Sequence, residues 1–212
     1  MTHDLPHSLR SDARDNHERL LEAARALFSR EGLSVPMREI ARRADVGPAT
    51  LYRHFPTKES LVAAAFADQL RACQDIVDQA SADPDPWHGL CQMIENVCEL
   101  HARDRGFTEA FLSAYPRAAG LTTSREHMLK AIADMAGRAK RTGHLRPDFV
   151  LDDLVLMLMA NKGIQTASPT TQVAASRRFA AFVIQALTNG PHNAPLPPPA
   201  RLTSTGVDNG QR

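Results

Sequence analysis

The side chains best suited to bind an anionic partner lie between Arg38 and Lys58. Tyr52, His54 and Lys58 carry a hydroxyl, an imidazole and an ammonium group, and each of these groups can bind a phosphate oxygen. The guanidinium of Arg38 suits either a guanine edge or a phosphate. The alternative is that Tyr52 and His54 are half-buried packing residues, and that Arg38 and Lys58 are solvated surface charges. The residue types indicate nucleic-acid contact, provided that the local structure presents them together.

A helix-turn-helix would present these side chains, and the spacing from residue 37 to 54 predicts one. The apolar residues of 37–44 recur at helical spacing and form one face of a short helix. Asp45 tolerates the left-handed backbone that a tight turn needs, and Val46 is expected to fill the space between the two helices. Gly47 can then cap a second short helix that opens at Pro48. A short helix, a tight turn and a second short helix are the parts of this motif.

Three blocks of sequence, LLEAARALFSREG, MREIARRADV and TLYRHFPTKESL, resemble the TetR family of bacterial regulators over about residues 14–66. The resemblance implies an all-α fold, with three helices in a DNA-binding domain and about six in a regulatory and dimerisation domain. It also implies that Thr50, Tyr52, His54 and Lys58 contact DNA, mostly at backbone phosphates. The sequence departs from the family pattern at Val35, where a Ser or Thr cap is usual, and at Asp45, where Gly is common.

The second helix of such a motif enters the major groove, and its first residues reach the base edges. Pro48 and Ala49 can make apolar contacts with a thymine methyl, and Thr50 and Arg53 can donate hydrogen bonds. One module makes few contacts, so a homodimer on a roughly palindromic operator is expected, with half-sites about 34–36 Å apart or a multiple of that. Double-stranded operator DNA and a second copy of the chain are therefore the expected partners.

Helical spacing and capping residues predict nine helices. Their approximate limits are 14–30, 36–44, 48–54, 58–80, 86–103, 107–115, 123–141, 149–165 and 169–187. The domain plan that follows is a disordered arm at 1–13, a helix-turn-helix domain at 14–58 and a ligand-sensing and dimerisation domain at 59–189. The Pro-rich tail at 190–212 has too little apolar content to fold and is expected to be disordered.

The second half of the chain suggests two further surfaces. One is a set of methionine, aliphatic and aromatic residues that could line a pocket for an apolar or aromatic small molecule. They are Met93, Val97, Leu100, Phe111, Met128, Ile132 and Met135. The other is a set of apolar residues on the last two helices that could form a four-helix dimer interface. They are Leu154, Val155, Leu158, Met159, Phe179, Phe182, Val183 and Ala186. The alternative in both cases is that these residues fill the core of the subunit.

Composition and motifs narrow the class of protein. The net charge is only +1, so DNA binding would rest on a local basic patch. His88, Cys91, Cys98 and His101 form a stripe that is too long to hold one metal ion, so these residues are expected to be inert packing. The alternative is metal or thiol redox sensing through Cys91, Cys98 or His101. No metal and no cofactor are expected. No phosphate-binding loop, metalloprotease motif or nucleophile elbow occurs, which argues against an enzyme. No signal sequence or membrane span is expected, and this predicts a cytoplasmic protein.

These observations support the hypothesis of a repressor that a small apolar or aromatic ligand releases from its operator. The mechanism rests on the family resemblance and on the Pro56-Thr57 joint before the helix at 58–80. Ligand binding would shift this helix and change the separation of the two recognition helices. The alternative is that the same DNA-binding fold acts as an activator, or through protein partners without a small-molecule ligand. The sequence does not separate the two.

Overall fold

The computed structural model of the chain describes the backbone of residues 5–113, 119–191, 193–199 and 202. Within these residues the secondary structure is helical apart from an isolated β-bridge between Leu145 and Thr188. The helices are α1 (Leu5–Glu31), α2 (Met37–Arg43), α3 (Pro48–His54), α4 (Lys58–Ala65), α5 (Ala67–Ser81), α6 (Pro86–Arg103), α7 (Arg105–Ser113), α8 (Ala119–Arg141), α9 (Leu151–Gly163) and α10 (Pro169–Leu187). The predicted all-α fold is confirmed. None of the described helices is long and apolar enough to cross a membrane.

The chain divides into two compact units. The first contains residues 1–74 and 104–126, and the second contains residues 75–103 and 127–212. The unit that holds the helix-turn-helix is thus larger than the segment 14–58, since α4, α7 and the first half of α5 pack with it. The division into domains by role, with limits at 58 and 189, stays a prediction.

An aromatic cluster builds the core of the first unit. Phe66 lies with its ring centroid 6.0 Å from that of Phe28 on α1 and 5.9 Å from that of Phe107 on α7. All three side chains are fully buried. Gly106 lets α7 approach α1 closely, because a Cβ atom there would lie 2.8 Å from the backbone carbon of Phe28. This packing joins α7 to α1 although about 80 residues separate them in the sequence.

The predicted single helix at 58–80 is wrong, because α4 ends at Ala65 and α5 begins at Ala67. Phe66 has φ −110° and ψ 15°, which interrupts the helix for one residue. The side chain of Phe66 is enclosed by the aromatic cluster, so the break accompanies the burial of a large ring. Helical periodicity could not reveal it, since the apolar spacing continues across the break.

A polar contact joins three helices inside the second unit. The amide of Asn161 on α9 donates to the carbonyl oxygen of Cys98 on α6 at 2.9 Å. The hydroxyl of Ser176 on α10 lies 2.9 Å from the same oxygen and 2.8 Å from Oδ1 of Asn161. Asn161 and Ser176 are both buried. Buried polar groups must be paired, so this cluster specifies how α6, α9 and α10 meet.

The residues after α10 were expected to be disordered, and the structure describes part of them. Residues 193–199 form no helix or strand, and the carbonyl oxygen of Ala194 accepts a hydrogen bond from Arg146. The N–H of Leu196 donates to Asp148 at 2.9 Å. Low apolar content argued for disorder, but side-chain partners on another part of the chain hold this segment in place.

Several helix limits follow the sequence prediction and others do not. Ser168 caps α10 by accepting the N–H of Thr171, and Asp85 accepts the N–H of Trp87 at the start of α6. The first helix begins at Leu5 rather than 14, so it extends into the arm expected to be disordered. The helix predicted to begin at 123 begins at Ala119 instead. Residues 114–118, which include the predicted end at 115, lie outside the described residues.

Candidate nucleic-acid interface

The turn between α2 and α3 has the geometry that the sequence predicted. Asp45 has φ +52°, in the left-handed region. The N–H of Val46 donates to the carbonyl oxygen of Ala41 at 3.0 Å and closes the turn. Val46 itself is half-buried, so it only partly fills the space between the two helices. The adjacent Gly47 has an extended backbone and is the residue that precedes α3.

Apolar residues on one side of α3 determine which residues its other side exposes. Leu51 is fully buried, and Phe55, directly after the helix, is 3% exposed. These two side chains anchor α3 to the rest of the first unit. Pro48, Ala49, Tyr52 and Arg53 are exposed on the outer side of α3, and Thr50 is half-buried. The structure therefore brings most of the predicted DNA-contacting residues together on one short helix, whereas Arg38 lies on α2 and Lys58 on α4.

Arg53 lies along the surface of α3 rather than extending into solvent. Its Nε atom donates to the carbonyl oxygen of Ala49 at 3.3 Å, and Nη2 donates to the hydroxyl of Thr50 at 3.2 Å. The contact orders a long side chain before any ligand binds, which reduces the entropy that binding would cost. Arg53 and Thr50 therefore present their donors as a pair.

His54 has a neighbour that sequence reasoning missed. The ring of His17 on α1 lies 5.6 Å from that of His54, and 4.9 Å from that of Phe55 against which it stacks. Burial, together with the charges of His17 and Arg53, lowers the pKa of His54 below its usual value. The lowered pKa favours the neutral imidazole, which can donate one hydrogen bond. No local pattern in the sequence connects His17 to the motif, because the contact joins α1 to α3.

Lys58 is the first residue of α4 and is half-buried. Burial lowers the pKa of its ammonium group, and the nearby carboxylate of Glu59 partly offsets this effect. Thr57 caps the helix, since its hydroxyl accepts the N–H of Ser60 at 3.1 Å while Ser60 accepts the N–H of Thr57 at 3.3 Å. The cap holds Lys58 at the positive end of α4, where a phosphate would be favoured.

The arginines of α2 differ in what they can readily bind. Arg38 is exposed on the first turn of α2. Arg42 forms two hydrogen bonds to the carboxylate of Glu39, at 2.9 and 2.5 Å, and this contact lowers the pKa of Glu39 and raises that of Arg42. A paired guanidinium is a weaker phosphate ligand, because binding would first have to break the pair. Arg38 remains the better candidate of the two.

The residues predicted to line a ligand pocket lie on three helices. Met93 and Val97 on α6 are buried, as are the three candidates on α8, and Leu100 is half-buried. Phe111 lies on α7 in the first unit, where its ring is 5.8 Å from that of Phe107. The α8 candidates are Met128, Ile132 and Met135. These positions suit either a pocket lining or core packing, so their role in ligand binding stays a prediction.

The residues predicted to form a dimer interface divide into two groups. Leu154, Val155 and Leu158 are 5–8% exposed, so they fill the core of the subunit, which favours the alternative for these three. Met159 is 48% exposed and Phe182 is 55% exposed. Phe179 and Val183 are half-buried, and Ala186 is exposed. Leu156, which the sequence analysis did not select, is 57% exposed. Periodicity missed it because α9 is apolar on nearly every side.

Burial determines the chemistry of the cysteine residues of α6. Among the described residues, no three His, Cys, Asp or Glu side chains come together as a metal site would require. Burial raises the pKa of Cys98 to about 12 and, with the charges of Glu95 and Asp85, that of Cys91 to about 11. Both thiols are therefore protonated at pH 7, and a protonated thiol is a poor nucleophile.

The paired helices, the left-handed turn and the exposed donors of α3 define a helix-turn-helix transcription regulator. The family model of bacterial regulatory proteins of the tetR family matches residues 20–65, and the model of the C-terminal domain of SbtR-like transcriptional regulators matches residues 85–188. The HTH-type transcriptional repressor KstR of Mycolicibacterium smegmatis is 32% identical over 138 residues, which is 64% of this chain and 68% of that protein. The chain belongs to the TetR family of bacterial transcription regulators.

One further relative and two solved structures are similar to this chain. The repressor KstR of Mycobacterium tuberculosis is 32% identical over 138 residues, which is 64% of this chain and 63% of that protein. The solved structure of the ketosteroid transcriptional regulator KstR2 of M. tuberculosis superposes with a TM-score of 0.62 at 22% identity, over 82% of this chain and 95% of that one. AibR in complex with isovaleryl coenzyme A and operator DNA superposes with a TM-score of 0.61 at 17% identity, over 81% of this chain and 97% of that one. The two structures show the same fold.

Proposed function

We propose that this chain is a repressor that binds a palindromic operator as a homodimer and leaves it when a small apolar or aromatic molecule binds. The observation that carries the proposal is the outer side of α3. Tyr52 is 52% exposed although it is a large aromatic residue, and Arg53 and His54 follow it directly on the same short helix. An exposed aromatic hydroxyl among basic side chains suits a phosphate backbone.

The roles of the exposed residues follow from their positions on the motif. Pro48 and Ala49 at the start of α3 would contact base edges, together with Thr50 and Arg53. Tyr52, His54 and Lys58 would contact phosphates and hold the helix in register. Arg38 on α2 would contact a guanine or a phosphate from the other side of the turn. The names of the KstR relatives support repression as the direction of control.

A homodimer is part of the proposal because the last two helices expose apolar side chains. Leu156 and Met159 on α9 and Phe182 on α10 are each about half exposed. Exposed apolar side chains that share a surface typically mark an interaction site. A second copy of the chain would cover them and would also supply the second helix-turn-helix, which a palindromic operator needs.

The effector would bind among the methionine and aliphatic residues of α6 and α8 described above. Methionine side chains adapt to irregular ligands, and the candidate lining residues are uncharged, which suits an apolar or aromatic molecule. Release would act through α5, which continues from the first unit into the second and begins directly after the buried Phe66. A ligand that favours the non-binding state by about 5.5 kcal/mol would change operator occupancy from 99:1 to 1:99.

Selection of duplexes from a random pool tests the DNA-binding part of the proposal. The expected result is a palindrome whose half-sites are separated by about one turn of DNA or a multiple of it. The double variant Tyr52→Phe, Lys58→Ala should bind the selected duplex roughly a hundredfold more weakly, since it loses one neutral and one charged hydrogen bond. The control is Arg141→Ala, which removes an exposed charge from the end of α8. No preference for any duplex, or unchanged affinity in the double variant, contradicts the proposal.

A separate measurement tests the effector. A panel of apolar and aromatic small molecules is screened for compounds that raise the thermal unfolding temperature of the free protein. A compound that does so should also weaken operator binding, because it stabilises the state that does not bind DNA. If every stabilising compound leaves operator affinity unchanged, ligand-controlled release is wrong for this protein. The activator alternative predicts unchanged or increased affinity.

A further inference from the structure

The chain continues beyond the segment that the C-terminal family model matches, which ends at residue 188. The described part of this continuation is residues 189–191, 193–199 and 202, and we call it the C-terminal strap. The strap makes hydrogen bonds to the loop between α8 and α9, to Thr188 directly after α10 and to the first turn of α9. A segment that is added to the family domain and held so firmly suggests a specific use.

Arg146 is the centre of the attachment. Its side chain is 8% exposed, and its guanidinium donates two hydrogen bonds to the carboxylate of Asp148, at 2.5 and 2.9 Å. Two further hydrogen bonds reach the carbonyl oxygens of Ala186 at 3.1 Å and Ala194 at 2.8 Å. One buried side chain therefore joins the last turn of α10 to the strap.

The composition of the strap explains why it can lie extended without a strand partner. In the sequence Pro195-Leu196-Pro197-Pro198-Pro199 the only backbone N–H belongs to Leu196, and it donates to the carboxylate of Asp148 at 2.9 Å. Prolines favour an extended backbone and leave no donor unsatisfied. Further along, the N–H of Leu202 donates to Oδ1 of Asp152 at 2.6 Å.

One of these attachments lies near an exposed apolar side chain of α9. Asp152, whose side chain accepts the N–H of Leu202, is four residues before the exposed Leu156 and is on the same side of α9. The contact at Ala186 is made by its backbone carbonyl and fixes the strap at the end of α10. The strap is therefore attached to both helices that carry the exposed apolar side chains.

We propose that the C-terminal strap forms the rim of the homodimer interface, where Leu196 is covered by a second copy of this chain. Leu196 is 43% exposed although it is apolar. Between Gly190 and Pro199 the sequence has no Asp, Glu, Lys or Arg. A neutral, proline-rich segment suits burial against another protein surface and does not suit DNA. The strap adds area to the edge of the interface, which the family domain alone would leave exposed to solvent.

The proposal rests on the homodimer of the proposed function, and its test keeps the two apart. Sedimentation equilibrium of the full chain without DNA measures the dimer Kd. The variant Leu196→Lys keeps an aliphatic stem and brings its charge near Asp148, so it does not disfavour docking of the strap. It should raise the dimer Kd at least tenfold, because a second copy would have to bury the charge. Ala133→Lys, which adds the same charge at an exposed position of α8, is the control and should leave Kd unchanged.

A chain that ends at Gly190 provides the second measurement and should also raise the dimer Kd by tenfold or more. A change of less than about threefold in Leu196→Lys overturns the proposal whatever the truncated chain does, because truncation could act through the folding of α10. An unchanged Kd in the truncated chain overturns it as well. If the full chain is a monomer at all concentrations, the homodimer itself is wrong, which distinguishes a failure of the proposed function from a failure of this inference.

Discussion

A carboxylate oxygen of Glu109 on α7 accepts the backbone N–H of Leu33 at 3.0 Å. Leu33 lies in the loop between α1 and α2, directly after Gly32, which ends α1 with φ +78°. A helix that follows the helix-turn-helix by about 50 residues therefore supports the loop that leads into it. The two oxygens of Glu109 also lie 2.9 Å from the place where a Cβ atom of residue 32 would be.

Replacement of Gly32 by Ala tests this relationship. The left-handed backbone costs an alanine about 1–2 kcal/mol, and the new methyl would displace Glu109 from its hydrogen bond to Leu33, at a further cost of about 1–3 kcal/mol. Gly143→Ala is the matched control, since Gly143 also has φ +78° but its added Cβ would meet no neighbour within 4 Å among the described residues. Urea unfolding followed by circular dichroism should show a greater loss of unfolding free energy in Gly32→Ala than in Gly143→Ala. Equal losses would mean that Glu109 does not constrain the loop.

The salt dependence of operator binding tests Lys58 as a phosphate contact. The variant Lys58→Gln removes the ammonium group and keeps most of the side chain. The slope of log K against log salt concentration should become less steep by about one unit per protomer, because one fewer phosphate is neutralised. Arg42→Gln should change the slope less, since the guanidinium of Arg42 is already paired with Glu39. A slope that is the same for Lys58→Gln and the unaltered chain would place Lys58 away from the DNA.

Acid should destabilise the second unit through His101. This side chain is 2% exposed, and burial lowers its pKa to about 3. Between the usual value near 6.5 and this lowered value, the unfolded chain binds a proton that the folded chain does not. The free energy of unfolding therefore falls as the pH falls, by up to about 1.4 kcal/mol for each pH unit below about 6.5.

The measurement is the urea unfolding free energy at pH 7 and at pH 5, for the unaltered chain and for His101→Phe. The unaltered chain should lose roughly 2 kcal/mol more than the variant between these two conditions, because phenylalanine binds no proton. His127→Phe is the control, since His127 is exposed on α8 and should leave the pH dependence unchanged. If His101→Phe retains the full pH dependence, another group is responsible.

Arg146→Lys should release the C-terminal strap. A lysine cannot make the two parallel hydrogen bonds to Asp148 and also reach two carbonyl oxygens. The thermal unfolding midpoint should fall by several degrees, and a protease should cleave the chain near residue 195 faster than in the unaltered chain. Arg141→Lys, at the exposed end of α8, should change neither quantity. Unchanged cleavage in Arg146→Lys would show that the strap is held by other contacts.

The pH dependence of the ion pair between Arg146 and Asp148 adds a second expectation. The hydrogen bonds from Arg146, and then the N–H of Leu196, hold the pKa of Asp148 well below its usual range. A carboxyl group with a lowered pKa stabilises the fold above its usual pKa and loses that effect only as the pH falls toward the lowered value. The difference in midpoint between Arg146→Lys and the unaltered chain should therefore be the same at pH 6 and at pH 8.

Much of the candidate DNA interface could be predicted from residues that are close in sequence. Asp45 in the left-handed turn, the cap at Thr57, and the exposed positions of Tyr52 and Arg53 all depend on spacing within one or two turns of helix. The break at Phe66 could not be predicted, because it depends on the rings of Phe28 and Phe107, which approach from other helices. The contact between His17 and His54 could not be predicted either, because it joins α1 to α3.

The sequence by itself determined the helices, most of their limits and the residues that α3 exposes, since helical periodicity and capping act over a few residues. Only the tertiary structure decided which side of α9 is outside, because an all-apolar helix has no preferred face until its neighbours cover one. It also decided the course of the strap after α10. Pro-rich sequence has too little apolar surface to fold alone, and groups that the fold brings close, among them Arg146, Asp148 and Asp152, supply the hydrogen bonds that hold it.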